Sequence, residues 1–216
     1  MKGRMKKPRD KSSVEDLQGM FSDRRTAIRS RLADFANVPR HEYFYELVYC
    51  LLTPQSSAVN AGKAVSALRE SDLLNRDFDP EPLLHREDYY IRFHKTKAKN
   101  LLEIREKYGA VARHLSNGCS SGELREWLVK NVRGLGWKEA SHFLRNVGHR
   151  DLAILDRHIL RNLVRFGVIR RIPNTLTPKR YKAIEKKFLA FAIEIGISMD
   201  ELDLLFWSME TGEILK

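Results

Sequence analysis

Cysteine is scarce in this chain of 216 residues: there are two, Cys50 and Cys119. Two thiols at no metal-site spacing exclude a four-cysteine zinc or iron–sulfur site. Both are expected to be buried, reduced thiols. The seven histidines are scattered without a close pair at metal-ligand spacing, so no protein-bound metal is expected. No apolar run approaches the roughly 18 residues that a membrane helix needs. The opening MKGRMKKPRDKSSVED lacks the apolar centre of a signal peptide, and a cytoplasmic protein is the expectation. Strand signals are also few. No apolar–polar alternation is sustained, and YYIRF (residues 89–93) is an isolated strand candidate.

What is abundant is positive charge and helical periodicity. The net charge is +11 and the pI about 9.7, a balance that attracts polyanions and makes nucleic acid the first partner to consider. Apolar residues recur at helical spacing from Val14 to about Ala36. HEYFYELVYCLLT is apolar on most sides, as a buried central helix is, and Pro54 ends it. Amphipathic segments then follow one another to the C-terminus, punctuated by Pro, Gly and Ser. The fold class is all-α.

The stretch RGLGWKEASHFLRNVG (133–148) holds the most informative turn. A helix from about Gly122 to Val132 meets Gly134-Leu135-Gly136, and a second helix opens near Trp137. Glycines allow positive φ and close backbone approach. The amides of such a turn, together with a helix N-terminus, suit a phosphate oxygen. The same turn also serves as an ordinary glycine-capped corner between two helices.

Lys138 falls in the first turn of that second helix, where the macrodipole disfavours a cation by about 0.3–1 kcal/mol. Partial burial would push the same way, toward neutral amine, the nucleophile of Schiff-base chemistry. Asp156, 18 residues on, begins the next helix, where the dipole keeps a carboxylate ionised. As plain alternatives, Lys138 is a surface lysine and Asp156 a helix cap.

The segment VRGLGWKEASHFLRNVGHRDLAILDRHIL resembles the signature of the helix–hairpin–helix DNA glycosylase/AP lyases: hairpin, lysine, then aspartate at the next helix start. LLTPQSSA resembles the turn with which endonuclease III-like members enter the helix gap. LFWSMETGEILK resembles the ending of the compact 8-oxoguanine DNA glycosylase/AP lyases of archaea and some thermophilic bacteria. The likeness runs from about Phe44 to Lys216.

This resemblance implies two helical lobes flanking a DNA-binding cleft. One lobe would span about 55–155 and carry the hairpin. The other would combine about 13–54 with 156–216, behind a basic mobile tail at 1–12. The substrate implied is double-stranded DNA containing 8-oxoguanine, met by a monomer associated with the nucleoid, with no membrane partner and no cofactor. A flipped nucleotide enters a pocket. Lys138 attacks C1′, displaces the base and leaves an imine, and β-elimination nicks the strand. Asp156 stabilises positive charge on the sugar and helps to activate Lys138. Gly134, Leu135 and Gly136 hold DNA phosphate. Phe93 and Trp207 are candidates to stack on the base, Lys216 to read it, and Gln55 to fill the gap it leaves. Core packing is the alternative for Phe93 and Trp207, and helix capping for Gln55. The basic run HKTKAKN (94–100) would either hold DNA backbone or form a solvated helix face.

Two other functions share parts of this pattern. An endonuclease III-like glycosylase/lyase acting on oxidised pyrimidines would use the same Lys138 and Asp156 with a different pocket. A helix–hairpin–helix module that only binds DNA would use neither.

Overall fold

A computed structural model describes residues 11–214. Residues 1–10, Leu215 and Lys216 lie outside the described residues, and with them most of the basic tail expected over 1–12. Helix α1 spans Lys11–Ala36, so it opens ahead of the expected start at Val14. The chain divides into two compact units, one formed by residues up to Asp34 together with Asp151 onward, the other by Phe35–Arg150.

The unit from Phe35 to Arg150 is built on α2 (Tyr43–Leu52), buried along nearly its whole length. Around it pack α3 (Ala58–Glu70), α4 (His94–Leu115) and α6 (Trp137–Asn146). Helix α5 (Ser121–Asn131) packs on α6. An apolar helix leaves few faces for water, which is why α2 becomes the centre. The sequence reading grouped residues 35–54 with the terminal segments. All-round apolarity shows that α2 is buried but does not identify its neighbours, and its contacts fall on α3, α4 and α6. Of YYIRF, only Tyr89–Tyr90 is strand (β2), paired antiparallel with His85–Arg86 (β1). Cys50 is buried, as expected, whereas Cys119 is part-exposed.

The other unit joins α1 to α7 (Arg157–Arg165), α8 (Pro178–Ile195) and α9 (Met199–Thr211). Its core includes Leu17, Ile28, Phe188, Phe191 and Phe206, with the rings of Phe166 and Phe206 stacked at 5.6 Å. Sequence-local caps start each of the last three helices. Thr177 caps α8, with Pro178 at its first position. Ser198 and Glu201 form a reciprocal capping box on α9. Asp156 caps α7. Such caps satisfy amides that the helix itself leaves open. Among the described residues, no helix is long and apolar enough to cross a membrane.

Candidate active site

The hairpin forms as the sequence indicates. Residues 129–136, with Glu103 and Lys107, line an open groove of about 550 Å³. The three hairpin residues are not equivalent. Gly134 has φ +85°, and a Cβ added there would lie 2.4 Å from Nδ2 of Asn100. Gly136 has φ −86°, ordinary backbone, and precedes α6 as its cap. Its smallness makes room for the Glu139 carboxylate, 2.8 Å from where a Cβ would sit. Leu135 is buried, and its amide donates to the Val132 carbonyl at 3.2 Å. Leu135 therefore anchors the turn with its side chain and closes it with its amide. Around the groove, Glu103 is paired with Lys107 at 2.6 Å and with Arg133 at 3.8 Å.

Lys138 is the second residue of α6, the placement read from the sequence. Its side chain is 33% exposed, and Nζ lies 3.1 Å from Oε1 of Glu139. The start of α6 is braced from α5. Arg125, buried, donates to Ser141 Oγ at 3.2 Å, and its guanidinium lies 4.8 Å from the Trp137 ring centre. A lysine on a braced helix start has little backbone freedom.

In the same unit the structure brings Gln55 and Phe93 into one connected region. Both are non-glycine residues in the left-handed region, at φ 58° and φ 60°. Gln55 is exposed and does not cap the following helix; Ser57 does, accepting from the Asn60 amide at 3.0 Å. Phe93 is 51% exposed and so is not the core aromatic that the plain alternative required. The Arg92 guanidinium lies 5.1 Å from its ring centre, and the Arg92 amide donates to Ser56 Oγ at 3.0 Å.

The run HKTKAKN is not a uniformly solvated face. Lys95 and Lys99 are exposed, but Lys97 turns inward and is 6% exposed. Its Nζ donates to the carbonyls of Leu52 and Pro54, each at 2.7 Å, and to Ser56 Oγ at 3.3 Å. Burial lowers the Lys97 ammonium to about 8; the charge of Glu139 opposes that shift and the charge of Lys138 adds to it. Sequence reasoning missed Lys97 because one lysine in a basic run carries no signal of direction.

Asp156 and Trp207 belong to the other unit, and the structure brings them together. The segment Leu152–Leu155 is buried without regular structure. Tyr181 satisfies its backbone, donating to the Ala153 carbonyl at 2.6 Å and accepting from the Leu155 amide at 3.2 Å. Glu185 accepts from the Ala153 amide at 2.9 Å. This pinned segment delivers Asp156 to the head of α7, where Oδ1 accepts from the Ile159 amide at 2.8 Å. Oδ2 accepts from Nε1 of Trp207 at 3.1 Å. The sequence suggested Trp207 as a stacking platform and did not anticipate its bond to the carboxylate. Lys216 lies outside the described residues. Among the described residues, no three His, Cys, Asp or Glu side chains converge as a metal site requires.

A helical fold with a hairpin, a lysine on the helix after it and a capped aspartate at the next helix start defines a class, the helix–hairpin–helix DNA glycosylases. Residues 28–197 match the family of 8-oxoguanine DNA glycosylases, and the chain belongs to that family. It is 41% identical over 211 residues to an 8-oxoguanine DNA glycosylase/AP lyase of Fusobacterium nucleatum, covering 93% of this chain and 96% of the relative. It is 35% identical to the 8-oxoguanine DNA glycosylase/AP lyase of Korarchaeum cryptofilum, covering 94% and 97%. A crystal structure of the Methanocaldococcus jannaschii 8-oxoguanine glycosylase/lyase in complex with a 15mer DNA containing 8-oxoguanine superposes with a TM-score of 0.85 at 30% identity. That match covers 95% of this chain and 100% of the other.

Proposed function

We infer that this chain excises 8-oxoguanine from double-stranded DNA and nicks the strand at the abasic site so made. The observation that carries the reading is the placement of Lys138 at the braced start of α6, directly after the hairpin, in a chain of this family. Lys138 is the nucleophile. Its neutral amine attacks C1′ as the base leaves with the electron pair of the glycosidic bond, the sugar ring then opens at C1′–O4′ to give an imine, and the imine acidifies the C2′ proton so that β-elimination breaks the 3′ C–O bond. Glu139, beside Lys138, is a ready acceptor for the proton the amine sheds.

Asp156 is the carboxylate that stabilises positive charge on the sugar. At a helix N-terminus, with both oxygens hydrogen-bonded, it is held in one orientation. The amides of Gly134 and Gly136 hold a backbone phosphate, which positions the duplex without reading sequence. Gln55 fills the gap left by the flipped nucleotide. Phe93 and Trp207 flank the base, and Lys216 supplies polar contacts to it. The enzyme works as a monomer on nucleoid DNA and needs no cofactor.

Borohydride trapping tests this reading. Wild-type protein should form a covalent adduct with an 8-oxoguanine duplex, and Lys138→Gln should bind the duplex without forming one. Binding with no adduct in the wild type would reduce the protein to a DNA-binding module. Adducts on oxidised-pyrimidine duplexes in preference to 8-oxoguanine would reassign the substrate.

A further inference from the structure

The backbone between α2 and α3 is a turn of four residues, Thr53-Pro54-Gln55-Ser56, closed by the Ser56 amide donating to the Thr53 carbonyl at 3.0 Å. Proline at its second position suits turn types I and II alike. A positive φ at the third position selects type II, and Gln55 sits there at φ 58°. The usual occupant is glycine, because a side chain in this region costs free energy. Something must therefore hold the turn in the less comfortable form.

The two turn types differ chiefly in the central peptide, here Pro54–Gln55, which is flipped by about 180° between them. The carbonyl that the flip redirects is that of Pro54, and it is the one Lys97 holds at 2.7 Å. Lys97 also takes the Leu52 carbonyl at the end of α2 and Ser56 Oγ just past Gln55. It thus grips the chain on both sides of Gln55 with three donors, the full complement of an ammonium. The Ser56 hydroxyl passes the grip on to the Arg92 amide, next to Phe93.

We propose that Lys97 is a positioning residue of the repair reaction: its ammonium keeps the Thr53–Ser56 turn in the type II form and so fixes the direction in which Gln55 projects. The proposal rests on the reading of Gln55 as the residue that fills the gap. Without the ammonium, the Pro54 carbonyl loses its partner, the central peptide turns over, and Gln55 relaxes to negative φ with its side chain aimed elsewhere. A gap-filling residue that must first find its direction acts more slowly on duplex, where a partner base is left orphaned. It costs nothing on single-stranded DNA, where there is none.

The test compares two substrates, an 8-oxoguanine duplex and a single-stranded oligonucleotide with a ready-made abasic site. Lys97→Met keeps the stem and removes the charge. It should lower duplex excision by about tenfold or more while single-strand cleavage stays near wild type. Gln55→Ala should lower the same ratio, and the double variant should be no worse than the more affected single one. In the wild type the ratio should fall as pH rises through about 8, and in Lys97→Met it should lose that dependence. The charged groups acting on Lys97 are Glu139 and Lys138, both retained in the variant.

A wild-type ratio in Lys97→Met overturns the proposal and leaves the Gln55 reading standing if Gln55→Ala lowers the ratio. Equal loss on both substrates also overturns it, because a general structural role predicts that pattern. A wild-type ratio in Gln55→Ala overturns the Gln55 reading, and the proposal with it. Should Lys97→Met fail to fold, Ser56→Ala removes one of the three acceptors at a part-exposed position. It should lower the ratio about threefold, and an unchanged ratio overturns the proposal.

Discussion

Trp207 donates its indole N–H to Asp156 across 3.1 Å, linking α9 to the head of α7. With the Ile159 amide on the other oxygen, the carboxylate has two donors and one orientation. An aromatic residue whose flat face suits stacking thus also presents its edge to a carboxylate.

Trp207→Phe separates those two uses. It keeps an aromatic face and removes the donor. A hydrogen bond to a charged group contributes about 1.5–3 kcal/mol, so 8-oxoguanine excision should fall by about tenfold or more. Cleavage at an abasic site, which needs no base departure, should fall less. If Trp207→Phe is indistinguishable from wild type in single-turnover excision, the bond to Asp156 has no part in catalysis.

The two hairpin glycines should respond differently to alanine. At Gly134 the positive φ and the 2.4 Å approach to Asn100 act together, and Gly134→Ala should cost about 2–4 kcal/mol. At Gly136 the backbone is ordinary and the conflict is with the movable end of Glu139. Gly136→Ala should cost under about 1 kcal/mol but slow turnover by displacing the carboxylate beside Lys138. Melting curves and excision rates on the pair check both halves.

Glu201 should give α9 an acid-sensitive anchor. Burial by itself would raise its carboxyl, but hydrogen bonds from Arg29 and Ser198 outweigh that and hold it below the usual 4.5. A depressed folded value means that the stabilisation is present above the unfolded value and is lost as pH falls through the folded one. Glu201→Gln preserves the capping pattern and removes the charge. Because Arg29 is largely exposed, the loss at pH 7 should be modest, about 1 kcal/mol, or about 2–4 °C in melting temperature. The difference from wild type should shrink as the buffer is taken below pH 4.5, and a difference that persists in acid would point to packing instead.

Lys216→Ala tests the part of the base-reading proposal that rests on family likeness. Excision of 8-oxoguanine should fall more than cleavage of an abasic duplex, measured side by side. Parallel loss would show that this lysine does not read the base.

The fold was legible wherever the signal is local. Caps such as Ser198 with Glu201, and Asp156 ahead of HILRNLVR, fix helix starts within a few residues of one another, so they can be read in order along the chain. The glycine turn and the position of Lys138 on the helix after it are equally local. What stayed hidden depends on partners distant in sequence. Lys97 reaches the Leu52 carbonyl 45 residues away, and Trp207 reaches Asp156 51 residues away; neither has a periodicity to betray it. The unit boundary at Phe35 was missed for a related reason, since an all-round apolar helix such as α2 carries no mark of which neighbours bury it. Family likeness singles out Gln55, but nothing in the sequence marks its left-handed backbone, because glutamine at such a position contradicts the usual preference for glycine.

The buried ammonium of Lys97 also bears on efforts to harden this protein. A proton kept where burial disfavours it lowers the margin against unfolding at neutral pH, but an apolar side chain there would leave the Leu52 and Pro54 carbonyls and the Ser56 hydroxyl without their shared donor, which costs in turn. A screen that selects variants for heat tolerance alone therefore has little to gain by removing this charge, and is better aimed at exposed positions of the same helix.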